Sequence, residues 1–176
     1  EKIIDETDKA PILNTSIPQQ YYSFSGGFKY KGFEVNLLFQ GVGKYSKTIS
    51  GVGAYESEYQ GVFTDLHLKA WTPERWNNGE EITYPALSLK ASTNHQPNSF
   101  FIMDASYLRL KNAEVAYTLP LNTSKKVFAE KIRFSLSGQN LFTIDNMRSK
   151  HIDPEIANMG TFQPYRVYNI GVSLTF

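Results

Sequence analysis

Side chains of unlike polarity alternate along much of this chain, and that pattern limits its possible folds more than any other feature. Tyr22, Phe24, Gly26, Phe28 and Tyr30 share one face of an extended segment, with Ser23, Ser25, Gly27, Lys29 and Lys31 on the other. After a turn at Lys31-Gly32, Phe33, Val35, Leu37 and Phe39 alternate with Glu34, Asn36, Leu38 and Gln40. Ile132, Phe134, Leu136 and Gly138 oppose Lys131, Arg133, Ser135 and Ser137, and the chain closes with Tyr168, Ile170, Val172, Leu174 and Phe176 against Asn169, Gly171, Ser173 and Thr175. In these four strands Gly26 and Gly138 alone break the apolar rows, and Leu38 alone breaks the polar ones. A period of two sustained this way predicts an antiparallel sheet with one apolar and one polar face.

A further strand spans about Ser106 to Leu119. There Leu108 and Leu110 alternate with Arg109 and Lys111, and Val115, Tyr117 and Leu119 with Glu114, Ala116 and Thr118. The one-residue change of phase near Asn112-Ala113 predicts a bulge. Aromatic residues make up 14% of the chain, with 11 Tyr, 12 Phe and 2 Trp. Such side chains suit pleated surfaces and membrane interfaces, and Tyr21, Tyr30, Tyr117, Tyr165 and Tyr168 sit near strand ends, where an interfacial girdle would lie.

The links between strands are lopsided. A tight turn and about ten residues from Pro120 to Glu130 alternate with two long connections, over 44–103 and 144–164. Short turns alternating with long loops are the pattern of an outer-membrane barrel, whose turns are periplasmic and whose loops are external. No stretch is apolar enough for a spanning helix, since the longest uncharged run, Ala10 to Phe28, holds Pro11 and Pro18. Five strands leave two open edges, and an open edge inside hydrocarbon leaves rows of backbone groups unpaired. The expectation is therefore all-β: about five C-terminal strands of a larger antiparallel transmembrane barrel, with residues 1–20 as a loop or strand lead-in. Because the chain begins Glu1-Lys2-Ile3-Ile4-Asp5, without an initiator Met, it reads as a mature or excised piece.

Particular motifs sharpen this. The run Asp104-Ala105-Ser106-Tyr107-Leu108-Arg109-Leu110-Lys111-Asn112 followed by Tyr117-Thr118-Leu119-Pro120 resembles the end of SusC/RagA-family TonB-dependent outer-membrane transporters. Ser137-Gly138-Gln139-Asn140-Leu141-Phe142-Thr143, Asp153-Pro154-Glu155 and Asn169 through Phe176 fit the same pattern. So do Tyr30-Lys31-Gly32-Phe33-Glu34, Trp71-Thr72-Pro73-Glu74 and Tyr84-Pro85. Ala116 departs from the family, which more often has Gly there, and His151-Ile152 precede the Asp-Pro-Glu. The resemblance implies a barrel of about 22 strands in the bacterial outer membrane, a plug and remaining barrel in the same transporter, a SusD-like surface lipoprotein and a TonB complex. It also implies import of oligosaccharide or oligopeptide cargo.

Among individual residues, Trp71, Arg75 and Trp76 are candidates for cargo or lid contact, behind Thr72 as helix N-cap and Pro73 at the first helical position. The plainer expectation is that the two indoles pack the loop on itself. Tyr168, Ile170, Val172, Leu174 and Phe176 resemble a C-terminal barrel-assembly signal. Lys29, Lys31, Glu34, Lys131 and Arg133 are expected in the lumen or at its rim.

Asp153-Pro154-Glu155 is expected to be a turn before a cation site, and the loop carboxylates are expected to be solvated. His67, His95 and His151 lack zinc-ligand spacing, and Gly41-Val42-Gly43 and Gly51-Val52-Gly53 lack the context of a phosphate loop. No catalytic constellation assembles, so neither an enzyme nor a cofactor is expected. The absence of cysteine excludes disulfides and thiolate chemistry. A formal charge of +1 gives no basic footprint for nucleic acid or for an anionic membrane surface. Two other readings stay open: a passive porin, and a soluble secreted β-sandwich binding module whose apolar face packs on a core.

Overall fold

The computed structural model describes residues 10–11, 15–56, 63–88, 90, 92–96, 98–156 and 160–176. Much of the expected lead-in over 1–20 lies outside them. The strands are β1 (Gln20–Tyr30), β2 (Phe33–Gly43), the short β3 (Ser46–Thr48) and β4 (Ile102–Asp104), β5 (Tyr107–Thr118), β6 (Lys131–Asp145) and β7 (Val167–Thr175). Two short helices, α1 (Pro73–Asn77) and α2 (Leu121–Ser124), join them. The chain forms two compact units. One holds residues 21–42, 107–144 and 164–176; the other holds the lead-in and the two long connections, over 43–106 and 145–163.

The first unit is a five-stranded sheet in the order β1-β2-β5-β6-β7. Its strands are 11, 11, 12, 15 and 9 residues long. A tilted strand crosses a bilayer in about 9–11 residues, whereas strands of soluble domains average about 5–6. The β1–β2 hairpin turns on Lys31 (φ 46°) and Gly32 (φ 89°), two positive-φ residues whose backbone twist matches that of the strands they join. At Gly32 a Cβ would also lie 2.5 Å from the Thr118 carbonyl oxygen.

Pairing of β2 with β5 is antiparallel and aligns like with like: Phe33 opposes Tyr117, Val35 opposes Val115 and Glu34 opposes Ala116. Leu38 pairs Asn112 whereas Phe39 pairs Leu110, so Lys111 is the extra residue. The expected bulge is present, one residue upstream of its predicted place. β6 and β7 match Ile132 with Leu174, Phe134 with Val172 and Leu136 with Ile170 on one face, and Arg133 with Ser173 on the other. Within β6, Asn140 takes φ 52° just past the last paired residue, Gln139, and its side-chain amide donates to the Tyr165 carbonyl at 3.1 Å.

The second unit has a core of its own, which alternation did not predict. Ile49, Ala54, Tyr55, Leu66, Ala70, Tyr84, Phe101, Met103, Ala105, Met147 and Ile152 form one buried cluster. β3 and β4 pair antiparallel beside it, with Lys47 opposite Met103. The two long connections are stitched together where Asp65 accepts from the Ser149 hydroxyl at 2.5 Å and from the Lys150 backbone N–H at 3.0 Å. They form one folded body rather than two separate loops.

Candidate functional site

The apolar rows of the two edge strands are uncovered. In β1 every residue is exposed, and in β7 all but Gly171 are. Phe24 is 67% exposed, Phe28 60% and Ile170 86%. Each such side chain gains about 1.5–3 kcal/mol when taken out of water, so a continuous face of them needs an apolar covering. Among the described residues the buried cluster lies in the loop unit, and none of its members belongs to the five-stranded sheet. Aromatic residues concentrate at the strand ends: Phe33 and Tyr117 lie 4.4 Å apart at the short-turn end, beside exposed Tyr30. Tyr21, Tyr165 and Tyr168 are exposed at the other.

The opposite face carries a charged row across four strands. Lys29 of β1 pairs with Glu34 of β2 at 3.0 Å, and the Arg133 guanidinium of β6 reaches Glu34 at 3.7 Å and bonds Glu114 of β5. Nearer the long-loop end, Arg109 is fully buried on this face. Its Nε donates to the Thr143 hydroxyl at 2.9 Å, and its guanidinium lies 5.1 Å from the Tyr107 ring. A hollow lined by Ser25, Gly27, Asn36, Asn112, Glu114 and Gln139 opens beside the row. Arg109 and Glu114 escaped the sequence-derived lumen set because they belong to the strand whose phase the bulge breaks. Once the register is known, both fall in the polar row.

In the loop unit, the helix start expected at Thr72-Pro73 is present: the Thr72 hydroxyl accepts from the Arg75 backbone N–H at 3.2 Å. The expectation that the two indoles pack the loop on itself fails, since Trp76 is 67% exposed and Trp71 40%. α1 is one turn long with no buried residue, so it has no inward face to hold them. Arg75 instead turns inward, donating to the Ala70 carbonyl at 2.7 Å and lying 3.8 Å from Glu80. Pro154 is fully buried, and Asp153 accepts from the Glu155 backbone N–H at 2.9 Å, which is the Asp-Pro turn expected.

The loop carboxylates are not all solvated. Glu56 is buried; it accepts from the Ser88 backbone N–H at 2.7 Å, from the Tyr84 hydroxyl at 2.8 Å and from His95 Nε2 at 3.0 Å. Burial acts to raise its pKa, but these donors outweigh burial and hold the carboxyl below its ordinary value. The Tyr84 hydroxyl is pushed up, by burial first and then by the Glu56 charge. His67, packed 4.2 Å from the Tyr84 ring, is depressed by burial; its Nδ1 accepts from the Thr64 N–H at 3.0 Å. Sequence separations of 28 to 39 residues join Glu56 to Tyr84, Ser88 and His95, so no local spacing announced the cluster. Among the described residues no group of acids and histidines is arranged to hold a metal ion.

No protein-family model matches the chain. TonB-dependent receptor P3 of Formosa agariphila is 28% identical over 94% of the chain, and TonB-dependent receptor P26 of the same organism 30% identical over 89%. The chain spans about 17% and 15% of those relatives' lengths. Among solved structures, the RagAB peptide importer superposes on the whole chain with TM-scores of 0.69 in its open-open state and 0.74 in its closed-closed state. Sequence identity is 22% and 21%, and the chain covers 19% of that protein's chain. The chain is homologous to a stretch of TonB-dependent receptors, as the SusC/RagA resemblance implied, and its fold is that of a barrel-wall segment with long loops.

Proposed function

We propose that this chain forms part of the wall and external loops of a TonB-dependent outer-membrane importer, which takes up oligosaccharides or oligopeptides delivered by a SusD-like lipoprotein. The observation that carries the reading is the uncovered apolar face on strands of bilayer-spanning length, backed by a charged row on the other face. Lipid covers the first face and the aqueous lumen wets the second. Such a division lets a solute pass along a polar wall while backbone groups stay paired across neighbouring strands.

In this reading the loops of 44–103 and 144–164 are external, and the rest of the barrel, the plug and the TonB-engaging segment lie elsewhere in the same transporter. Exposed Trp71 and Trp76 are the side chains available for cargo or the lid, because Arg75 is held within its own loop. The row Tyr168, Ile170, Val172, Leu174 and Phe176 serves as the signal read during barrel assembly. Transport through such a wall requires no chemistry from these residues, and no cofactor is invoked.

The test is detergent extraction of native outer membranes, affinity capture of this chain and mass spectrometry. Co-purification with a barrel, a plug and a lipoprotein supports the importer. Recovery of the chain alone in the soluble fraction refutes it.

A further inference from the structure

We propose that the turn joining β5 to β6 is a membrane-surface anchor, with Phe128 inserting among phospholipid headgroups of the periplasmic leaflet and Lys125 and Lys126 engaging their phosphates. The inference rests on the transporter reading above and adds a contact that the wall alone does not require.

Phe128 combines two costs. It caps the turn in the left-handed region (φ 60°, ψ 23°), where glycine or asparagine is usual and a bulky residue is an outlier. It is also 92% exposed, more than any other large apolar residue described. The backbone of that conformation is held by the turn itself, since the Phe128 N–H donates to the Lys125 carbonyl and the Ala129 N–H to the Ser124 carbonyl, both at 3.2 Å, but the ring is left in the open. An aromatic ring gains by partitioning into the headgroup region.

The surroundings fit that occupant. Val127 and Leu121 are exposed on the same turn, and the lysines before them are exposed as well. Basic side chains near a membrane are drawn to anionic lipid. The turn is fixed to the sheet at both ends: the Leu119 N–H donates to the Ile132 carbonyl at 2.9 Å, and the Glu130 N–H to the Thr175 carbonyl at 2.7 Å. Inside it, the Ser124 hydroxyl and backbone N–H both reach the Pro120 carbonyl, at 3.1 and 3.2 Å. Phe128 is therefore held at the same end of the sheet as Tyr30 and the tilted Phe33–Tyr117 pair.

The experiment uses the full-length transporter in nanodiscs of phosphatidylethanolamine and phosphatidylglycerol, with a spin label at Phe128→Cys, at Asn122→Cys in the same turn, or at Ile170→Cys in the lipid-facing row. Collision with oxygen, which enters lipid, is compared with collision with a water-soluble nickel chelate. The expected result is an oxygen-to-nickel ratio at 128 several-fold above that at 122, approaching that at 170. A ratio at 128 equal to that at 122 makes the turn merely solvated and overturns the anchor. Shielding of 128 from both reagents assigns the contact to protein and also overturns it. Nickel access at 170 sinks the transporter reading itself.

Phe128→Gly, which relieves the left-handed strain, gives an independent arm. It is expected to fold at least as well as the parent yet insert several-fold more slowly into phosphatidylglycerol vesicles; an unchanged insertion rate counts against the anchor.

Discussion

The Tyr22 hydroxyl donates to the Tyr107 backbone carbonyl at 3.0 Å, so a side chain of β1 reaches past β2 to β5. Its ring lies over Gly41, where an added Cβ would come within 2.6 Å of the Tyr22 ring. One aromatic residue thus covers a glycine and ties three strands together at the long-loop end. Tyr22→Phe removes the hydrogen bond alone and is expected to cost about 0.5–1.5 kcal/mol. Gly41→Ala displaces the ring and should cost more, and the pair of changes should cost less than the sum of the two. The midpoint of heat-modifiability of the folded full-length barrel in detergent reads all three variants, and strict additivity would show that ring and glycine are uncoupled.

Ile170 sits near the middle of β7 in the exposed apolar row, and Asn169 next to it faces the other way. Ile170→Lys places a charge in hydrocarbon and is expected to cost about 2–4 kcal/mol, whereas Asn169→Lys faces water and should be nearly neutral. Barrel stability in lipid vesicles against urea checks the contrast. Equal effects at the two positions would mean that the lipid face has been misassigned.

Arg133 stands between two carboxylates on neighbouring strands. Arg133→Gln leaves Glu34 and Glu114 to repel one another, and the barrel is expected to lose stability more at low salt than at high salt, because mobile ions screen that repulsion. Adding Glu114→Gln should recover much of the loss. Thermal melts of the full-length protein at two ionic strengths measure both effects.

Glu56 satisfies three buried donors in the loop unit. Glu56→Ala strands the Ser88 N–H and His95 Nε2, at about 1–3 kcal/mol for each group left unsatisfied, while the Tyr84 hydroxyl keeps the Ala54 carbonyl at 2.7 Å. Hydrogen exchange across 44–106 should then speed up while exchange in the β5–β7 strands stays slow. Acid should act in the same direction. Glu56 has a depressed folded pKa, so its stabilisation is full above its unfolded value of about 4.3 and fades as pH falls through the folded value. His67 is also depressed when folded, so it disfavours the folded loop unit progressively as pH falls below about 6.5. Protection factors in the loop unit, taken relative to intrinsic exchange at each pH, are therefore expected to fall first between pH 7 and 5 and again as pH drops through the folded pKa of Glu56, with His67→Phe removing the first step.

The sheet was legible because each strand reports on itself: a period of two needs no distant partner to be seen. Even its exceptions have local causes. Gly138 interrupts an apolar row because Leu141 fills its space, 2.5 Å from where a Cβ would stand, and the phase change in β5 marks the extra residue Lys111. The loop unit was not legible for the converse reason. β3 and β4 are three residues each, too short to show a period. The core draws on Ile49, Tyr84, Phe101 and Met147, which no window of sequence contains together. By size and apolarity the two tryptophans are the natural filling of the loop, yet Tyr55, Tyr84 and Phe101 fill it instead.

Because the loop unit carries its own core, two separate sets of rules govern change along this gene. In the importer reading the apolar rows of the wall answer to lipid and tolerate little beyond exchange among apolar residues. Loop-surface positions answer only to a small interior seated on Tyr84 and Phe101. Substitutions on that surface can therefore change what the loops present without disturbing the apolar rows of the sheet.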